Sequence, residues 1–237
     1  MHRQSSWNKG RTLSAALGLL LPLLAGCGSN GGHSNPVAPS PPSSQTGTLV
    51  VVASVASNAD PAGNFGTQFA VSLADTGTGA AVSGATVEFS TPSGLVSLAE
   101  DSGTPGTYRA QRSGHVAGLY ALSVARGVDV ASGSIDMPEA HVITSPASND
   151  TVSSNGSLDV TWTRVAPAQE AWIDTKDWTV GTQTDNGSGK VPKGHNQVRN
   201  DQCVGVSRRN SNNPANTAAG SVLRASVRVS VEPVLVQ

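Results

Sequence analysis

Apolar and polar positions alternate along much of this chain from Leu49 onward. Leu49-Val50-Val51-Val52 opens a β-branched run, and Phe69, Val71 and Leu73 are then separated by Ala70 and Ser72. Ala85, Val87 and Phe89 alternate with Thr86 and Glu88, and Tyr120, Leu122 and Val124 with Ala121 and Ser123. A period of two turns one face into a core and the other to water, as in a half-buried strand. Glycine and proline clusters at 77–84, 92–94, 103–106 and 113–118 separate these runs at the spacing of a sandwich. Residues 49–138 therefore predict one antiparallel sandwich of about seven strands.

Met137-Pro138-Glu139 reads as a boundary, and a second strand-rich block fills 139–237. Leu158, Val160 and Trp162 alternate there with Asp159, Thr161 and Thr163. Near the C-terminus Leu223, Ala225, Val227, Val229 and Val231 point one way, and Arg224, Ser226, Arg228, Ser230 and Glu232 the other. Asn155-Gly156 and Asn186-Gly187 are the dipeptides that hairpin turns favour. No helix of useful length is predicted. The fold class expected is all-β: two antiparallel Ig-like sandwiches behind an N-terminal signal and a flexible linker.

Two resemblances agree with this. Val82-Ser83-Gly84-Ala85-Thr86-Val87, Gly106-Thr107-Tyr108 and Gly118-Leu119-Tyr120-Ala121-Leu122 resemble bacterial Ig-like modules, whose Gly-x-Tyr units imply strand entries with a tyrosine at the sandwich edge. Thr144-Ser145-Pro146 through Trp162 resembles the opening of fibronectin type III or Ig-like domains.

The first 48 residues follow another pattern. His2, Arg3, Lys9 and Arg11 form a basic leader, and a run of about 12 mainly apolar residues follows from Leu13 to Leu24. A bilayer-spanning helix needs roughly 20, so this reads as a processed export signal. Leu24-Ala25-Gly26-Cys27 resembles the lipobox of bacterial lipoproteins. That resemblance implies cleavage after residue 26 and acylation of Cys27 through a thioether. It also implies several acyl chains on one residue, whereas a single chain holds a membrane only marginally. Gly28 stands where the family's inner-membrane retention signal would be aspartate, which points to the outer membrane. Residues 27–48, rich in Gly, Ser and Pro, read as the lipidated N-terminus and its linker, about 25 Å long as a flexible coil.

Three of the 15 Lys and Arg residues lie in the leader and none of the 16 Asp and Glu, so the remaining chain carries a net charge of −4. That is no footprint for nucleic acid. Aromatic residues make up 4% of the chain, so those present are needed for burial, which favours a core over a surface role for each.

Candidate chemistry is sparse. No Gly-x-Ser-x-Gly elbow occurs, and Gly77-Thr78-Gly79-Ala80-Ala81-Val82 half-matches a dinucleotide loop but lies between strands. His33, His115, His141 and His195 are isolated and read as surface residues, so no metal site is assigned. Asp174, Asp177, Asp185 and Asn186 fit no calcium loop and read as solvated acidic turns. With Cys27 acylated, Cys203 is expected to be an inert strand residue without a partner in the chain; an intermolecular disulfide stays open. Trp172 and Trp178, six apart, would share one strand face and serve either as core or as anchors for a sugar or protein. Arg208-Arg209 and the Asn-rich 210–216 read as an exposed loop. No catalytic residue or cofactor is assigned.

The expectation is a lipid-anchored, non-enzymatic envelope protein that presents its sandwiches for binding or adhesion to a protein or polysaccharide. The alternatives are an accessory subunit of a periplasmic or outer-membrane assembly, docking by sheet edges, and an enzyme whose site assembles only in space.

Overall fold

The computed structural model describes residues 47–179 and 183–237, and the signal, Cys27 and most of the linker lie outside the described residues. Everything described is strand, turn or irregular. The first half supplies β1 (Leu49–Ala59), β2 (Phe65–Asp75), β3 (Thr86–Thr91), β4 (Gly94–Glu100), β5 (Thr107–Ser113), β6 (Gly118–Arg126) and β7 (Asp129–Met137). One layer runs β1–β2–β5 and the other β4–β3–β6–β7, all antiparallel, with β4 reaching across to β5 at two positions. The predicted alternation holds: Phe69, Val71, Leu73, Val87, Phe89, Tyr120, Leu122 and Val124 all face one core. Phe69 is its centre, with its ring 5.4 Å from Phe89 and 6.2 Å from Tyr120. Tyr108 and Tyr120 are buried more deeply than edge positions, and only their hydroxyls reach the rim. Tyr108 Oη donates to the Val82 carbonyl at 3.1 Å, and Tyr120 Oη to the Val116 carbonyl at 2.8 Å.

The second half supplies β8 (Ile143–Ser145), β9 (Thr151–Val152), β10 (Leu158–Trp162), β11 (Glu170–Thr175), β12 (Ser188–Val191), β13 (Arg199–Asn212) and β14 (Val222–Val236). A sheet ordered β12–β10–β8 faces β11–β13–β14, with β9 laid parallel on the end of β14. Leu158, Val160, Trp162, Ile173, Val204 and Val206 form this second core. The Asn-Gly dipeptides do not close hairpins. β9 pairs with β14 and not with β10, and Gly187 leads into β12, whose partner is β10.

The feature that sequence periodicity does not announce is the reach of β13 and β14. Their hairpin is longer than the second sandwich and runs out along the first. β14 pairs parallel with β1 from Val52↔Val222 to Asn58↔Arg228, so Leu223 and Ala225 sit in the first core. Val204, Val206 and Val234 of the same hairpin sit in the second core. The Asn-rich segment is correspondingly no free loop. Asn210 and Asn212 lie in β13, and their Nδ2 atoms donate to the carbonyls of Asp136 at 2.7 Å and Ser134 at 3.1 Å. Ala215 bridges Ser132 in the same row. Carbonyls at every second residue of β7 thus find partners, and the edge of that sheet is covered.

Candidate binding surface

The strand directions give the molecule two ends. Residue 47 enters beside the β13–β14 tip, where Gly47 N donates to the Thr217 carbonyl. At the other end lie the turn after β11 and the loop between β12 and β13. At about 3.3 Å per residue along β1 and β14, the two ends are separated by roughly 50 Å.

The far end, here called the distal tip, is organised by Gln202. This side chain is fully buried. Its Oε1 accepts from the backbone N–H of Lys176 at 2.9 Å and of Cys203 at 3.1 Å. Its Nε2 donates to Asp177 Oδ2 at 2.6 Å and to Asn196 Oδ1 at 3.0 Å. Asp177 also accepts from Arg199 at 2.8 Å and from the Gln197 N–H at 3.2 Å. Asp201 pairs with Arg199 at 2.8 Å and with Lys176 at 2.9 Å; the bonds from Arg199, then Lys176, hold its carboxyl well below the usual range. The Trp178 and His195 rings lie 5.6 Å apart.

Trp172 and Trp178 do not share a strand face, because β11 ends at Thr175 and the chain turns there, with Thr175 N donating to the Trp178 carbonyl. Trp178 packs its inner side on the second core. Trp172 lies on the outer face of β11, where the Arg209 guanidinium sits 4.0 Å from its ring centroid and is itself paired with Glu170.

Two of the expected solvated acids are buried. On the outer face Asp174 pairs with Arg228 at 2.6 Å over Gly205, and burial lifts its carboxyl above the ordinary value despite that pairing. At the junction of the sandwiches Asp185 is 1% exposed and accepts from Trp162 Nε1 at 2.9 Å, Ala168 N at 2.8 Å and Arg208 Nε at 2.8 Å. Burial works to raise the Asp185 carboxyl, but these donors outweigh it and hold the carboxyl below its usual value. Arg208 follows Val204 and Val206 in the core-facing register of β13 and is fully buried, not looped out. It also donates to the carbonyls of Glu139, at 2.9 Å, and Ala166.

His141 lies beside this pair and is buried rather than on the surface. One ring nitrogen meets the Val206 carbonyl at 3.0 Å, and the other has no partner. Burial, reinforced by the Arg208 charge, pulls its pKa down to about 4. His195 is exposed at the tip, and His33 lies outside the described residues. Cys203 is buried in β13 and disulfide-bonded, which corrects the expectation of a cysteine without a partner. Cys27 lies outside the described residues.

No family model matches the chain, and no curated protein matches it. Among solved structures it is similar to the fibronectin(III)-like modules of Clostridium thermocellum CbhA, at 15% identity and a TM-score of 0.24, over 78% of this chain and 94% of that one.

Proposed function

We propose that the chain is a non-enzymatic protein of the cell envelope, anchored through lipid on Cys27 at the outer membrane, which holds its distal tip out toward a partner. The observation that carries this reading is the position of residue 47. The segment from the lipobox joins the fold at the end opposite the tip, and the β13–β14 hairpin is shared by both cores. Anchor, linker, strut and tip then follow in order away from the membrane. Docking by the β7 edge, as an assembly subunit would use it, meets an edge already filled by Asn210, Asn212 and Ala215.

The anchor is tested by fractionating cells that express Cys27→Ala. The variant should leave the membrane fraction, and full retention would overturn the reading. One sulfur holds a thioether or a disulfide, not both, and the sequence has two cysteines. The acylated chain and a chain with an internal disulfide are therefore distinct species. Intact mass should show the acylated one in membranes. Protease treatment of whole cells then separates a surface orientation from a periplasmic one.

A further inference from the structure

The distal tip carries more polar organisation than a sandwich corner needs to fold. The paired charges at its centre cancel: Arg199 faces Asp177 and Asp201, and Lys176 faces Asp201, while Lys193 stands exposed on the adjoining turn. Net attraction of the paired cluster itself for an anion or a cation is therefore small. Within this neutral cluster one group is left unsatisfied. Asn196 is 2% exposed, and its Nδ2 has no partner.

That orphan is not a matter of how the amide is turned. Gln202 Oε1 must face two backbone N–H groups, so Nε2 must face Asn196, which must present Oδ1 and turn its own Nδ2 away. A buried donor without an acceptor costs about 1–3 kcal/mol. Structures rarely keep one without a reason. Alongside it stand the Trp178 and His195 rings, with His195 exposed.

We propose that the tip binds a neutral carbohydrate chain, with a sugar ring against His195 and the outer part of Trp178 and with hydroxyls bonded to Asn196, Asp177 and Arg199. This rests on the reading of the tip as the presented end. A sugar hydroxyl both donates and accepts, which suits a cluster that offers an amide donor, a guanidinium and a carboxylate within a few ångströms. Its C–H face suits an aromatic ring. Asn196 Nδ2 is itself buried, so a hydroxyl reaches it only after a local opening of the chain around it. An acidic glycan would meet only Lys193 on the exposed turn, since the cations at the centre of the cluster are already paired with Asp177 and Asp201. A peptide strand would need an open sheet edge, whereas that of β11 is bridged at Ala171 by Gln183 and at Asp174 by Thr179.

The test uses the full chain in mild detergent on an array of neutral and acidic glycans, followed by calorimetry with the strongest neutral binder. Binding to neutral glycans, weakened at least tenfold in both His195→Ala and Trp178→Phe and unchanged in Trp172→Ala, is the expected result. Because His195 is exposed, its variant keeps the fold, and circular dichroism verifies this. No binding, binding to acidic glycans alone, or full affinity in His195→Ala overturns the proposal. A photo-crosslinker at exposed Val198 in living cells separates the two levels of the argument. Capture of a protein in place of a glycan defeats the carbohydrate assignment and leaves the presented tip standing. Capture of neither defeats both.

Discussion

Replacing Asp185 by Asn removes one charge from a site with almost no water and changes little else. The carboxylate is 1% exposed and Arg208 fully buried, so solvent screens neither. In the variant the guanidinium keeps the Glu139 and Ala166 carbonyls but loses its counter-charge, and the indole of Trp162 and the N–H of Ala168 face a weaker acceptor. Breaking a buried pair by removing one partner costs about 3–5 kcal/mol. At roughly 2–4 °C per kcal/mol for a fold of this size, Tm should fall by about 6–20 °C. Thermal denaturation followed by circular dichroism at pH 7 reads this directly. The companion Asp185→Leu/Arg208→Met removes both charges and should recover most of the loss, since apolar replacement of a whole buried pair is often neutral. A melting point within about 3 °C of the parent for Asp185→Asn, or a double variant as unstable as the single, would refute the reasoning.

Other outcomes follow from the same physics. The folded His141 pKa lies near 4, below its ordinary 6.5, so between these values the unfolded chain takes up the proton first and stability rises with pH. The parent should lose about 3 kcal/mol from pH 7 to pH 4 through this group. His141→Gln, which keeps a donor toward the Val206 carbonyl, should flatten that slope in urea titrations at several pH values; an unchanged slope assigns it elsewhere. A Cβ at Gly205 would lie 2.4 Å from Arg228 Nη2 and 2.7 Å from the Asp174 oxygens, so Gly205→Ala should cost about 1–3 kcal/mol in chemical denaturation. Leu223→Ala empties a place in the first core and should cost about 2–5 kcal/mol. If the hairpin couples the sandwiches, hydrogen exchange should also speed up in β10 and β12, which belong to the second core; protection unchanged in those strands would show that it does not.

Much of the fold was legible because a two-residue period is a local signal. Phe69-Val71-Leu73 and Leu223-Ala225-Val227 announce their buried faces without reference to any partner. What they cannot announce is which core they enter, and Leu223 enters the one built mainly from residues over a hundred positions earlier. The candidate site was less legible for a related reason. Arg208 stands in step with Val204 and Val206, so its inward register was readable, but a charged residue in that register suggested a loop until Asp185 supplied its partner. Asp174 and Asp185 sit in segments of turn-like composition, and their burial comes from arginines that only the tertiary fold brings to them. Gln202 gave no signal: its role depends on the backbone donors of Lys176 and Cys203. The pair of tryptophans misled through an assumption of straightness, since a strand that ends at Thr175 cannot hold a periodicity to Trp178.

The parallel pairing of β1 with β14 joins positions about 170 residues apart, as in the bond from Val51 N to the Ser221 hydroxyl at 2.9 Å. During synthesis β1 emerges long before its neighbour. Until β14 follows, one side of β1 is an open row of backbone donors and acceptors, a template for any passing strand. Closing so long a loop is also slow compared with local pairing. The first sandwich is therefore a fold on loan until the second is made, and a chain cut short before Val222 would leave that debt exposed as a site of aggregation.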